Sequence, residues 1–394
     1  MQRFDVIIVG GGPVGSHVAS RLADMGYYTA VLERRKETGL PVCCTGIISE
    51  ECVRSFAIDN SLILRRVNSA KIFSPGGILL RLWRPKVQAC VLDRVAFNVA
   101  LAHRAVDSGA KYLTDHLVSE VIVSKDKVLV RVSRDGEELQ FEAKAVVLAS
   151  GFRSNLVTEV GLEISGIFAM GVQTEVSTAS IDEIEIYFGK EVSDGLFAWL
   201  VPTTSNKARI GLLSYSRPGE YLKKLLSSLQ EQGKINSVIA KTLYRAVPLK
   251  TLPKTYQDRL LVVGDAAGQV KPTTGGGIYY GLLCADIAAD TLNQALINND
   301  LTARNLTEYE SKWENRLEHD LKSGQYARIF QEKINDKQMD RIFDITISLG
   351  LDKSIVERED ISFDGHSQAI LKLLGHSVLA KAFDSIKVPF ISSR

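Results

Sequence analysis

No stretch of this sequence approaches the ~18 consecutive apolar residues that a membrane-spanning helix requires, so no such helix is expected. An excess of charge of one sign is missing too. The 48 Lys and Arg nearly balance the 46 Asp and Glu, leaving a net charge of +2 with no long block of either sign. The basic footprint of a nucleic-acid binder is therefore absent. Cysteine is scarce and odd in number: the five, Cys43, Cys44, Cys52, Cys90 and Cys284, form neither a disulfide framework nor paired CxxC motifs. Free thiols suit a reducing cytoplasm. His103, His319 and His366 are isolated, no trio of His and acids has metal-ligand spacing, and no metal is expected. There is no GxSxG and no evident Ser/His/Asp set. The chain enters a strand pattern directly, so no signal peptide is expected. What remains is ordinary material in quantity. The 394 residues, 45% hydrophobic and 24% charged, are enough for two or three folded domains.

The first thirty-five residues are the most informative. "FDVIIVG" is an unbroken apolar run, which reads as a parallel strand buried on both faces. "GGGPVGSHVASRLADMG" follows, with Gly10, Gly12 and Gly15 in GxGxxG spacing and a helical pattern directing Val18, Leu22 and Met25 toward the sheet. "YTAVLERR" is a second strand ending at Glu33 and Arg34. Glu33 stands close to the distance, about 20 residues on, at which such motifs place an acid for ribose hydroxyls. Gly10 permits a tight turn, Gly12 lets backbone approach a pyrophosphate, and Gly15 lets helix and strand pack closely. The amides at the helix start face the phosphates. Strand, glycine loop, helix, strand and acid together point to a dinucleotide, and Glu33 disfavours a 2′-phosphate. The bland alternative is a glycine-rich turn with Glu33 solvated.

Later segments supply more of the same architecture. "VLDRVAFNVALAHRAVDSGAKYL" reads as a helix starting near Asp93, with Val95, Val99, Ala102 and Val106 on one face. Short alternating strands follow, with turns at 125–127 and 135–136, and then a buried strand that ends at Gly151. "DRLLVVGDAAG" is another buried strand with Asp265 at its carboxyl end, where ligands of open α/β sheets bind. "GGGIYYGLLCADIAADTL" begins a helix on Gly276, Gly277 and Ile278, an anion-receptive end.

At these residues the chain resembles the geranylgeranyl reductase family, among the FAD enzymes built like p-hydroxybenzoate hydroxylase. The resemblance is carried by "GGGPVGS…VLERR", "PVCCTGIIS", "LDRVAFNVALAHRAVDSGA" and "GDAAGQVKPTTGGGIYYGLLCA", and covers about residues 1–295. "GLFAWLVP" resembles the reductases' Y-x-W-x-F-P segment, keeping Trp199 and Pro202 but with Phe197 for Tyr and Val201 for Phe.

The resemblance implies FAD, held by Gly10, Gly12, Val14, Gly15, Glu33, Arg34, Cys44, Thr45, Gly46, Arg94, Val118, Gly151, Asp265, Gly276, Gly277 and Ile278. Asp265 would accept from a ribityl hydroxyl. Gly277 and Ile278 would offer amides to the flavin ring, where partial positive charge favours its reduced form. Arg94 either reaches the pyrophosphate or forms a surface ion pair with Asp93 or Asp107. Val118 either offers backbone to the adenine or only packs. Cys44 has two readings as well: the catalytic one, as proton donor at the reaction site, and a small polarizable residue packed against the ring. Cys43 reads as structural.

The middle of the chain, "SAKIFSPGGILLRL" and "GIFAMGVQTEV…IDEIEIYFG…GLFAWLVPTTSNKARIGLLSY", alternates at period two. It predicts an antiparallel sheet with one wet and one covered face. Phe197, Trp199, Pro202 and Tyr279 are the expected substrate-binding residues, with Tyr187 considered for the same apolar wall; ordinary sheet core is the alternative. Past about Leu292 the pattern is helical, through Leu306, Tyr309, Trp313 and Leu317 and on to an amphipathic tail with Lys372 and Lys381. Those helices either pack on the sheet or touch a membrane surface.

The expected fold is therefore α/β (α+β). Residues 1–65, 90–160 and 255–295 form a discontinuous Rossmann-like FAD-binding domain. Residues 66–89 and 161–254 form an inserted antiparallel-sheet substrate domain, and 296–394 a C-terminal helical region. The resemblance implies a reductase of isoprenoid double bonds, fed by NAD(P)H or reduced ferredoxin, acting in the cytoplasm or peripherally on the inner face of the membrane. An aromatic monooxygenase on the same fold and an electron-transfer flavoprotein serving a quinone are the alternatives.

Overall fold

A computed structural model of the chain describes residues 2–351 apart from Arg153, Ser165 and Ser180, together with Phe363 and Asp364. The amphipathic tail around His366, Lys372 and Lys381 lies outside the described residues. The chain forms two compact units. One takes the residues up to Val42 with Asp93–Phe168 and Ala246–Leu321; the other takes Cys43–Leu92, Ala169–Arg245 and the described residues from Lys322 on.

The first unit is built on a parallel sheet in the order Leu260–Val262, Glu137–Leu148, Gln2–Val9, Thr29–Leu32, Lys111–Leu113. Val6, Ile7 and Ile8 are fully buried, as an apolar run in a sheet covered on both faces must be. On one side stand the helices Pro13–Asp24, Arg94–Asp107 and Ile278–Ile297. On the other, the antiparallel strands Leu117–Val123 and Val128–Arg134 bring Val118, Val121, Val128 and Val130 onto Ile7, Val9, Val146 and Leu148. The helix expected near Asp93 starts there, with the Asp93 carboxylate accepting from the amides of Val95 and Ala96. Its buried face only partly matches the expected one. Ala102 is buried, but Val95 and Val99 are half-buried and Val106 is 49% exposed, while Phe97, Leu101 and Ala105 take the buried side.

The second unit centres on an eight-stranded sheet, seven strands of which follow in the order Ile235–Val238, Phe168–Thr178, Lys207–Ser214, Phe197–Thr204, Ile184–Phe188, Ser69–Phe73, Leu79–Trp83. The pairs in that order are antiparallel except Ile184–Phe188 with Ser69–Phe73, which run parallel. The helix Pro218–Glu231 covers one face, setting Leu222, Leu225 and Leu229 on Val172, Ala198, Leu200 and Leu212. The other face is not simply wet. The small sheet Ile47–Ser49, Ala89–Leu92, Ile63–Val67 packs Val67 and Val91 on Ile184 and Val201. The period-two pattern alternates correctly, but it cannot tell that a second sheet covers part of the face it leaves open.

Candidate functional site

In the first unit the glycines divide their work by geometry. Gly10 has φ +108°, and a Cβ there would stand 2.5 Å from Ala149 O. A Cβ on Gly15 would stand 2.0 Å from Gly10 O, so only glycine lets the helix sit this close to the strand. Around Gly12, by contrast, an added Cβ meets nothing within 4 Å. Gly12 is the N-cap of Pro13–Asp24 and offers no capping side chain, so the first-turn amides are left for a ligand. Glu33 follows the second strand. Its Oε2 accepts from the Gly11 amide at 2.7 Å and its Oε1 from the Arg35 amide at 2.9 Å. Each oxygen keeps a further lone pair for a ribose hydroxyl. Arg34 is exposed.

Gly11 and Tyr112 form a contact that sequence reasoning missed. Tyr112 Oη donates to Gly11 O at 2.8 Å, and a Cβ on Gly11 would fall 2.2 Å from that oxygen. Burial pushes the Tyr112 phenol up to about 12, which keeps it a donor.

The second glycine-rich stretch meets the first. Val14 lies against both Gly264 and Gly281: a Cβ on either would come within 3.1 and 2.6 Å of its methyl groups. Between Leu260 and Thr273 only Asp265 is not buried. Its Oδ1 would be 2.7 Å from a Cβ on Gly277, so a glycine is what admits the carboxylate. Gly277 in turn is the N-cap of Ile278–Ile297, again without a capping side chain. Gly276 is exposed, Gly277 and Ile278 are half-buried, and Tyr279 is 7% exposed beside Tyr280. A buried relay holds this turn. Tyr309 Oη donates to Val262 O at 3.0 Å and accepts from Gln269 Nε2 at 2.8 Å, and Gln269 Oε1 accepts from the Gly264 amide at 2.8 Å.

Arg94 is no surface ion pair. It is 5% exposed, donates to Asn98 Oδ1 at 2.8 Å, and lies over the Phe97 ring, while Asp93 caps the helix. Its Nε and the Oγ of Ser150 are buried without a hydrogen-bond partner among the described residues. Gly151, next in sequence, has φ +76° and open space at its Cβ position. Val118 is buried in the core. Two uncapped glycine helix starts, an orphaned buried guanidinium nitrogen and two strand-end acids suit FAD, an anionic dinucleotide rich in hydroxyls.

In the second unit the loop Cys43–Gly46 is tied down residue by residue. Cys43 Sγ donates to Leu243 O at 3.4 Å, and burial pushes its thiol up to about 11, with Cys44 adding to the rise and Arg245 opposing it. Cys44 is half-buried. Thr45 Oγ1 donates to Gln173 Oε1 at 3.0 Å. Arg209 Nη1 donates to Thr45 O at 2.7 Å and to Leu92 O at 2.9 Å. Gly46, with φ +78°, accepts at its carbonyl from the Leu92 amide at 2.9 Å.

Strand register places Gln173 opposite Gly211, Gly211 opposite Trp199, Trp199 opposite Ile186, Ile186 beside Ile72, and Ile72 opposite Leu80. These residues form one row on the face that carries Arg209. Gly211 makes room for the indole: a Cβ there would be 2.6 Å from Trp199 Cζ2. Phe197 packs beside Trp199 with ring centroids 5.8 Å apart. Pro202 is buried. Tyr187 points to the opposite face, stacked on Phe73 at 5.0 Å and bonded to Glu185, so it is not part of this wall. Its side-chain direction follows from register, which the sequence pattern alone does not fix.

Gln173, Arg209, Gln269 and Tyr309 carry much of this geometry. The signal that could have found the first two is a polar residue at an inward position of an alternating strand.

Comparison with known proteins adds to the geometry. The pyridine nucleotide-disulphide oxidoreductase family pattern matches residues 4–183. The digeranylgeranylglycerophospholipid reductase 2 of Methanothermobacter thermautotrophicus is 30% identical over 86% of this chain and 91% of its own length. The digeranylgeranylglycerophospholipid reductase of Methanocaldococcus jannaschii is 32% identical over 86% and 89%. The crystal structure of a geranylgeranyl bacteriochlorophyll reductase-like protein from Thermoplasma acidophilum superposes with a TM-score of 0.86 at 25% identity, covering 98% of this chain and all of that one.

Proposed function

The chain belongs to the digeranylgeranylglycerophospholipid reductase family, and we propose that it saturates carbon–carbon double bonds of a geranylgeranyl or related isoprenoid group carried by a lipid, a quinone tail or a chlorophyll-type alcohol. It is an FAD-dependent oxidoreductase. FAD, bound and reduced, supplies the hydride that the reaction needs. Saturating one double bond adds that hydride to one carbon and a proton to the other.

The chain's own residues do the remaining work. The Gly12 helix start and Arg94 hold the phosphates, with Val14 and Gly15 shaping the turn. Glu33 accepts from ribose hydroxyls and Asp265 from the ribityl chain. Gly277 and Ile278 present amides to the ring. Gly10, Arg34, Val118, Gly151 and Gly276 complete the lining by backbone or proximity. Cys44 holds the proton at its Sγ, with Thr45 and Gly46 fixing its loop.

The isoprenoid chain lies along the part of the row Trp199, Ile186, Ile72 and Leu80 that the small sheet leaves open, with Phe197 beside it. From the Trp199 strand to the Leu80 strand that row crosses three strand spacings, about 14 Å at the usual separation. This is room for several isoprene units. An unactivated alkene needs close alignment and exclusion of water, which a fixed apolar wall supplies. NAD(P)H or reduced ferredoxin delivers the electrons. Among the described residues no helix is long and apolar enough to cross a membrane; a lipid substrate would be met from the membrane surface.

The observation that carries the reading is the attachment of Thr45, next to Cys44, to Gln173 and Arg209 on the sheet face that bears Trp199. Anaerobic incubation of the flavin-reduced protein with geranylgeranyl lipids tests it. Products heavier by two hydrogens per double bond are expected. A hydroxylated product in air with none of these would replace it with the monooxygenase reading.

A further inference from the structure

Arg209 is a charged residue at an expensive address. It is 8% exposed, between the buried Ala208 and Ile210. A buried guanidinium is tolerated only when its donors are satisfied. Here two bonds go to main-chain carbonyls and one to a carboxylate. Nη1 meets Thr45 O and Leu92 O, and Nε meets Glu175 Oε1 at 3.3 Å. The Leu92 amide donates to Gly46 O, which closes a ring of contacts through Arg209, Thr45, Gly46 and Leu92. Gln173, across the sheet from Gly211, takes the Thr45 hydroxyl from the same face.

We propose that Arg209, assisted by Gln173, is a positioning residue that fixes the Cys44 thiol relative to the Trp199 wall. The planar guanidinium meets both carbonyls through Nη1 while its Nε bond to Glu175 fixes the orientation of the plane, a constraint that the freely rotating ammonium of a lysine supplies only in part and an apolar residue not at all. Two of its acceptors belong to segments 47 residues apart in sequence, Thr45 and Leu92, so its bonds define the loop's place rather than local secondary structure. Arg209 acts on the reaction only through the loop. Its catalytic consequence rests on the reading of Cys44 given above; its effect on the loop does not.

The test uses the full-length flavoprotein and the variants Arg209→Met, Arg209→Lys, Gln173→Leu and Thr45→Val. The rate of iodoacetamide alkylation at Cys44, resolved from Cys43 by fragment mass spectrometry, reports the loop without any substrate. Losing charge-assisted bonds should let the loop open more often, so Cys44 alkylation should rise about tenfold in Arg209→Met and less in Gln173→Leu. Arg209→Lys should recover part of the effect, and bound flavin should stay at the parent level. With a prenyl substrate, kcat should fall about tenfold while KM stays within about twofold. A lower melting temperature in Arg209→Met with unchanged Cys44 alkylation would overturn the proposal. If that variant does not fold, parent-level alkylation in both Gln173→Leu and Thr45→Val overturns it equally. Absence of any prenyl reduction in the parent protein would sink the assigned reaction but leave the alkylation result to decide the loop.

Discussion

Val14 occupies the space that a side chain on Gly281 would need: a Cβ there would stand 2.6 Å from Val14 Cγ2. The two residues belong to glycine-rich motifs far apart in sequence, and their contact brings two uncapped helix starts into one neighbourhood. Gly281→Ala should therefore force the helices apart. We expect a loss of about 1–3 kcal/mol, as for other overpacked sites, with weaker flavin retention. Val14→Ala in the same chain should restore part of both, because it removes the opposing methyls. Thermal melts and flavin absorbance after gel filtration read the four corners of this cycle. Additive losses would show that the contact is not what matters.

Glu33 receives an amide on each oxygen, from Gly11 and from Arg35. Glu33→Gln keeps the shape but turns an NH2 toward one of these donors. The mismatch should cost about 1–3 kcal/mol, seen as an FAD dissociation constant raised about tenfold or more. Unchanged FAD affinity would remove Glu33 from the cofactor site.

Desolvation pushes the Cys43 thiol from 9.0 to about 11. The folded state then holds this proton more tightly than the unfolded chain does. The sign follows: the contribution to stability is full below pH 9 and is lost as pH rises toward 11. Comparing parent and Cys43→Ser, the denaturation midpoint of the parent should fall more steeply across that window. Parallel curves would contradict the burial of this thiol.

Trp199 and Tyr187 lie on opposite faces of one sheet, and they should separate function from stability. Trp199→Ala should raise KM for prenyl substrates about tenfold or more and leave flavin content alone. Tyr187→Phe removes a hydroxyl that bonds Glu185 and Lys234, so it should lower the melting point with little change in KM. The reverse pattern would move the substrate to the helix-covered face.

How much of this was legible beforehand depends on the kind of constraint. The spacing of Gly10, Gly12 and Gly15 is steric, and steric demands are written in residue type. Asp93 as a helix start is equally local. The face of the helix Arg94–Asp107 was not readable, because Val95, Val99 and Val106 have helical spacing just as Phe97, Leu101 and Ala105 do, and only packing chooses between them. The links from Arg209 to Thr45 and from Gln269 to Tyr309 span long sequence separations and have no periodic signature. Tyr187 and Trp199 could not be assigned to faces without strand register.

The central claim is that reduced flavin in this protein is consumed by an isoprenoid alkene. Its most direct test is to reduce the purified flavoprotein without oxygen, mix it with a geranylgeranyl lipid, and follow flavin absorbance and lipid mass together. The account predicts reoxidation that depends on the lipid, with a gain of two hydrogens for each flavin turned over. Flavin that stays reduced while the lipid keeps its mass, across the geranylgeranyl compounds offered, would contradict it.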